Sequence, residues 1–339
     1  METKIYRVSS SRPATWKIKE CAEILKNGGL VGFPTETVYG LGANAFSDAA
    51  VRKIFEVKGR PPDNPVIVHI SDLSHLDGVV SEMPEKAWKL AEKFWPGPLT
   101  MVLPKSREIP YSVTANLDTV AVRMPSHPVA KKLIEFAGAI AAPSANISGK
   151  VSPTKAEHVI ADFYGKIEAI IDGGSTKIGL ESTVVGNLDG VPILLRPGGI
   201  TPEMLREVLG EIEVHPVARA EIEFEKALAP GMKYRHYSPA ATVVLVENSA
   251  SEKLFKVFEE VQKNRKTCLI LFRNRNISSQ DVFVGSHGSK EEYARNLFRL
   301  LRDVDKKGYE VVVVEGVDEE GIGLAIMNRL RKCASKIVK

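Results

Sequence analysis

No run in the 339 residues approaches eighteen consecutive apolar side chains, so a membrane-spanning helix is not expected. The opening METKIYRVSS lacks an apolar signal core, and the expected location is the cytosol. Cysteine is scarce: Cys21, Cys268 and Cys333 lie far apart and form no C-x-x-C pair, which argues against a disulfide framework or a zinc knuckle. The seven histidines fall into no H-E-x-x-H or other ligand spacing, so a protein-held transition metal is not expected. Only two glutamines stand among many Lys and Glu, a bias of heat-adapted chains. Phosphate-loop fingerprints are missing as well. In GGSTKIGLEST the residue after Gly179 is Leu180, not the Lys of a Walker loop, and GVDEEGIGLA is not spaced G-x-G-x-x-G. Nor is there a basic arm. The net charge is +4, and residues 242–339 hold 18 Lys+Arg against 14 Asp+Glu, which leaves 28 against 28 for residues 1–241.

What is present is an α/β pattern. The 44% hydrophobic and 26% charged fractions are those of a globular chain with ample core, and the length favours two domains. GLVGFPT reads as a buried strand after a helix closed by Asn27-Gly28-Gly29. SDAAVRKIFEV reads as a helix capped by Ser47 or Asp48, and PEKAWKLAEKFW as one with Pro84 near its start. NPVIVHI, LTMVLP, TVAVRMP, AIAAPS, EAIIDGG, STVVGN and PILLRPG supply strands. SPTKAEHVIADF and TPEMLREVLG open Ser/Thr-Pro, which predicts caps at Ser152 and Thr201. Residues 211–241 mix charge with Pro216, Pro230 and Pro239 and read as a linker. Residues 242–339 alternate strand and helix, with a capping box at Ser289 and Glu292, and predict a small doubly wound, Rossmann-like domain.

The chemistry concentrates in residues 1–210. FPTETVYGLGANA sets Thr35, Glu36, Thr37 and Tyr39 at a strand end, a position where side chains converge on a crevice. A polar capping turn accounts for it equally well. In KGRPPDNPVIVHI the prolines stiffen the chain around Lys58, Arg60 and Asn64, and cations so placed suit a polyanion; both cations are expected to stand exposed in an empty cleft. A lone K-x-R would be an ordinary solvated loop. IAAPSANISG puts Ser144 and Asn146 after a strand, with small residues that admit a ligand to the backbone. Arg123 and Arg196 end two further strands, and clustered positive charge costs stability unless an anion neutralises it. PGMKYRHYSPA, with Lys233, Tyr234, Arg235, His236 and Tyr237, is too aromatic and basic for a passive tether and reads as a lid.

In this order FPTETVYGLGANA, KGRPPDNPVIVHI, WPGPLTMVL, AVRMPSHP, PSANISG, ESTVV, LRPGG and KYRHYSP resemble the threonylcarbamoyl-AMP synthases in their long form. The resemblance implies a YrdC-type twisted open mixed sheet over residues 1–210, a lid-forming linker over 211–241 and the C-terminal domain over 242–339. It implies that L-threonine, bicarbonate and ATP are joined into threonylcarbamoyl-AMP with release of pyrophosphate. A tRNA threonylcarbamoyl transferase complex downstream then modifies adenosine beside the anticodon, and weak RNA binding is compatible with this place. Carried onto this chain, Thr37, His69, Arg123 and Ser182 would hold threonine. Lys58, Arg60, Asn64, Thr119, Ser144, Asn146, Ser152, Arg196 and Tyr237 would line ATP, with Lys58 and Arg60 catalytic. Arg235, His236 and Tyr237 would close the site, and Mg²⁺ would arrive on ATP without protein ligands. Two rivals stand beside this: an RNA-binding module, disfavoured by the near-neutral first 241 residues, and a hydrogenase-maturation carbamoyltransferase, whose zinc fingers three cysteines cannot build.

Overall fold

The apolar runs assemble into two sheets in a computed structural model that describes residues 2–220, 237–247, 251–275 and 279–339. The first unit contains β1 (Lys4–Arg7), α1 (Thr15–Lys26), β2 (Val31–Phe33), β3 (Gly40–Asn44), α2 (Asp48–Lys58), β4 (Ile67–His69), α3 (Glu85–Phe94) and β5 (Leu99–Pro104). It continues with α4 (Tyr111–Thr114), β6 (Thr119–Arg123), α5 (Pro128–Ala137), β7 (Ile140–Ala141), α6 (Ala156–Phe163), β8 (Ala169–Asp172), β9 (Thr183–Gly186), β10 (Ile193–Arg196) and α7 (Pro202–Leu209). Among the described residues these strands, with β11 (Glu213–Val214), form one mixed sheet in the order β1-β8-β2-β3-β7-β4-β6-β5-β9-β10-β11. The expected open mixed sheet is therefore present.

Local chemistry explains the helix ends. Ser47 accepts from the Ala50 N–H at the start of α2, and Thr201 does the same for Met204 in α7. Gly59, at φ +59°, stops α2 in the left-handed region that favours glycine. Leu90, Phe94, Met101, Val122 and Leu205 join the core beneath α3 and α7, and Ile18, Leu25, Phe33, Leu133 and Ile171 join the one beneath α1 and α5. Ser152 departs from expectation. It caps nothing: α6 begins at Ala156 behind Lys155, and the Ser152 hydroxyl turns instead to Glu181.

Residues 211–220, expected as linker, carry structure of their own. β11 pairs in parallel with β10, and Asn328 Nδ2 donates to the carbonyls of Val217 and Ala218 in the turn that follows. Lys233, Tyr234, Arg235 and His236, read above as lid residues, lie outside the described residues.

The second unit has β12 (Thr242–Val246), α8 (Ser251–Gln262), β13 (Thr267–Arg273), β14 (Val282–Ser286), α9 (Lys290–Lys306), β15 (Val311–Glu315), α10 (Gly323–Cys333) and β16 (Lys336–Val338). Its sheet, ordered β14-β13-β15-β12-β16, is parallel throughout. α8 covers one face through Leu254 and Phe258, while α9 and α10 cover the other through Leu297, Leu301, Ile326 and Leu330, as a doubly wound sheet requires. At Ser289 the hydroxyl accepts from the Glu292 N–H, but Glu292 reaches back to the His287 N–H and not to the cap residue itself.

The two units meet tightly. Gly179, at φ +84°, lies against the α9 backbone so closely that a Cβ there would sit 2.5 Å from Arg295 Cα. Arg295 Nε donates to the Lys177 carbonyl, and Arg302 to the Val151 carbonyl and Asp162.

Candidate active site

A recess lined from many separate segments opens over the first sheet. Its floor is the sheet itself. Ile67 and His69, two residues apart on β4, point to the same face, and His69 lies in register with Arg123 on β6. Thr37 arrives from the turn after β2, Ser144 and Asn146 from the segment after β7, Ser182 from just before β9, and Arg196 from the end of β10. Lys58 and Arg60 enter from the end of α2, and Tyr237 comes from the far side of the 221–236 segment. Ser152 lines the same recess. Segments distant in sequence thus deliver Lys58, Arg60, Arg123 and Arg196 to one hollow.

Asn64 and Thr119 are not among its lining residues. Asn64 is buried, and the carbonyls of Asn64 and Pro65 accept from Arg60 Nη2 at 2.7 and 3.0 Å. The proline-stiffened turn therefore grips its own arginine. Thr119 begins β6, the strand that Arg123 ends, about 13 Å away along the chain.

The expectation of two exposed cations needs correction. Arg60 is half-buried, but Lys58 is buried, with Nζ donating to the Ser144 carbonyl at 2.6 Å and to that of Asn146. Burial, reinforced by Arg60, pulls its pKa well below that of an ordinary lysine. Arg123 is likewise not waiting alone. Its Nη2 donates to Glu36 Oε1 at 2.6 Å, and its Nη1 to Thr37 Oγ1 at 2.9 Å, all inside the protein. Glu36 was visible in the sequence as one carboxylate of a polar turn, but its partner stands 87 residues away.

Arg196 donates to the Ser182 carbonyl at 2.9 Å and to its hydroxyl at 3.0 Å, and burial pulls this guanidinium down to about 10. The Ser182 hydroxyl also meets Thr100 Oγ1 at 2.7 Å. His69 is held down to about 3 by burial and then by Arg123, so its imidazole is neutral at ordinary pH. Among the described residues its Nδ1 and the Asn146 Oδ1 are buried without a hydrogen-bond partner. Buried polar atoms of that kind suit a ligand that completes them.

Sequence reasoning missed Glu181 and Arg329. Glu181 lines the recess, accepts the Ser152 hydroxyl at 2.5 Å and pairs with Arg329 of α10 at 2.9 Å. Burial pushes Glu181 up, but Arg329, Arg196 and the Ser152 hydroxyl more than reverse it and hold the carboxyl below its ordinary value. The available signal was an arginine amid the apolar positions Leu324, Ala325, Ile326, Met327 and Leu330.

Comparison with known proteins agrees with this architecture. The Sua5–YciO–YrdC family model, described as telomere recombination, matches residues 23–198. The model of the threonylcarbamoyl-AMP synthase C-terminal domain matches residues 200–335. The threonylcarbamoyl-AMP synthase of Pyrococcus abyssi is 51% identical over 96% of this chain and 96% of its own. That of Bacillus subtilis is 47% identical over 94% of this chain and 93% of its own. The crystal structure of P. abyssi Sua5 complexed with L-threonine has a TM-score of 0.94 at 50% identity, covering 99% of both chains.

Proposed function

The chain belongs to the threonylcarbamoyl-AMP synthase family, and on that premise we propose that its recess joins L-threonine, bicarbonate and ATP into threonylcarbamoyl-AMP and pyrophosphate. The observation that carries this reading is the meeting of Lys58, Arg60, Arg123 and Arg196 with Thr37, His69 and Ser182 in one hollow. Four cations beside an amino-acid-sized set of hydroxyls and a neutral imidazole match a nucleotide and an amino acid held side by side.

Threonine would occupy the end formed by Thr37, His69, Arg123 and Ser182. Arg123 shares its charge with Glu36, so the substrate carboxylate is met by the hydroxyls as well as by the guanidinium. The neutral His69 offers one donor and one acceptor, which suits an amine or a hydroxyl. ATP would lie along Lys58, Arg60, Ser144, Asn146 and Arg196, with Ser152 and Tyr237 on the far wall. Anchored by two carbonyls, Lys58 has a third N–H left for a phosphate oxygen.

The reaction then needs no covalent intermediate with the chain. The threonine amine adds to the bicarbonate carbon, water leaves, and a carbamate oxygen attacks the α-phosphorus as pyrophosphate departs. Positioning and cationic stabilisation of the developing phosphate charge carry the rate. Among the described residues no group of three His, Cys, Asp or Glu side chains is assembled to hold a metal ion. Glu36 and Glu181 are both engaged by arginines. The residues present do not fit a direct magnesium site, so the ion would travel with the triphosphate. Among the described residues no helix is long and apolar enough to cross a membrane.

The test is pyrophosphate release from ATP with threonine and bicarbonate omitted in turn. The expected result is release that requires both. Release that ignores threonine would contradict the reading.

A further inference from the structure

α10 packs on the second sheet, yet one of its side chains ends at the wall of the recess. Arg329 is fully buried; its Nε donates to Glu181 Oε2 at 2.9 Å, and its Nη1 to the Pro197 carbonyl at 3.0 Å and Asn328 Oδ1 at 2.9 Å. The guanidinium also lies 5.4 Å from the centre of the Tyr237 ring, which stacks on Phe298 of α9 at 5.3 Å. Glu181, Ser152 and Tyr237 all line the recess. A cation of the C-terminal unit is therefore spent on a carboxylate of the active-site wall. Such a buried pair is weak evidence for stability, because desolvation offsets most of its attraction, and a role in the site is the better account.

We propose that Arg329 is a positioning residue for the synthase reaction, keeping Glu181 ionised and bound to Ser152 and so fixing the polarity of the wall that faces the nucleotide. This rests on reading the recess as the synthase site. While Glu181 is a carboxylate, it takes the single proton of the Ser152 hydroxyl, and Ser152 faces a ligand with lone pairs only. Such an acceptor suits a ribose hydroxyl or a protonated amine, and repels a phosphate oxygen. Protonated Glu181 would itself donate to Ser152, whose own proton would swing towards the ligand and reverse that preference.

The groups that act on Glu181 are Arg329 and Ser152 by direct contact and, through their charge, Arg196, the Tyr237 phenol and Lys332, itself pulled down to about 7 chiefly by burial. Burial favours the neutral acid, and Arg329 is the largest force against it. Removing Arg329 therefore raises the Glu181 pKa.

The experiment is the pH profile of threonine-dependent pyrophosphate release, from about pH 8 to about pH 5.5, by the full chain. Wild type, Arg329→Gln, Arg329→Lys and both substitutions combined with Glu181→Gln are compared. Arg329→Gln should gain an acid-side loss that wild type lacks, up to about tenfold per pH unit below the raised pKa, as one added titrating group gives. Arg329→Lys, which keeps the charge and loses the paired N–H geometry, should gain a smaller one. Glu181→Gln should abolish the added limb in either background. A profile parallel to wild type in Arg329→Gln, or a limb that survives Glu181→Gln, would overturn the proposal. If Arg329→Gln does not fold, Arg329→Lys with and without Glu181→Gln decides in the same terms. An inactive wild type would overturn the synthase reading itself and is distinguishable from parallel profiles.

Discussion

Lys58 and Arg60 stand two residues apart and are held by different means. Lys58 is buried on the carbonyls of Ser144 and Asn146, whereas Arg60 is half-buried on the carbonyls of its own proline turn. Arg60→Ala should therefore melt within a few degrees of wild type and lower pyrophosphate release at least about 100-fold, the scale of one lost transition-state donor. Lys58→Met fills much of the space but takes the donor from the Ser144 and Asn146 carbonyls, so it should match that loss of turnover and cost about 1–3 kcal/mol of stability. Thermal melts and pyrophosphate assays on the same preparations check both, and full turnover in either folded variant would remove that residue from the mechanism. Arg123→Ala should raise the threonine requirement more than the ATP requirement, and the opposite order in steady-state kinetics would mean the two ends are swapped. A second residue-scale prediction concerns acid. His69 and His158 are both held down to about 3, chiefly by burial. An unfolded imidazole takes up a proton near pH 6.5 that the folded ones refuse. Stability is thus complete above that pH and falls as pH drops towards 3, by about 1.4 kcal/mol per pH unit for each histidine. Urea midpoints at pH 7 and pH 5 should show a shallower drop in His158→Gln than in wild type. Equal drops would contradict the assignment.

At the scale of elements, the site depends on segments that have no regular structure. The loop ending in Glu181 and Ser182 is pinned where Gly179 meets α9, a contact that tolerates no side chain. Gly179→Ala should cost about 1–3 kcal/mol through the strained backbone and the clash with α9, and should lower turnover with it. Denaturation and activity measured together test this; wild-type values in both would show that the loop is not held there. Legibility followed the same divide. Helices with a hydroxyl cap and a clean period, such as α2 behind Ser47 and α7 behind Thr201, could be read from the sequence because local chemistry decides them. β1, β11 and β16 have two to four residues each, too few to show a period, and their pairing is set by distant partners. Ser152 misled because Ser-Pro opens many helices, and nothing nearby announces that its hydroxyl belongs to Glu181. The lining cations were legible as residue types at strand and helix ends. Their acidic partners Glu36 and Glu181 were not, since each pair joins segments far apart in the chain.

At the scale of the molecule, the C-terminal unit packs against the wall of the recess. Val38, Val151, Leu180 and Tyr237, from around the recess, share one apolar cluster with Leu297, Phe298, Ile326 and Leu330 of α9 and α10. A chain ending at residue 220 would expose that surface and lose Arg329, so it should aggregate or bind its substrates poorly. Full activity in the shortened chain would refute this dependence. The C-terminal unit was readable as a doubly wound fold without a nucleotide fingerprint, and no spacing in it indicated that Arg329 of α10 pairs with Glu181 of the recess wall. The central claim is that one recess holds amino acid and nucleotide together. Calorimetric titration of L-threonine into the enzyme, free and then saturated with a non-hydrolysable ATP analogue, tests it most directly. Threonine should bind in both cases, at least as tightly with the analogue present. Loss of threonine binding when the nucleotide is bound would contradict the account.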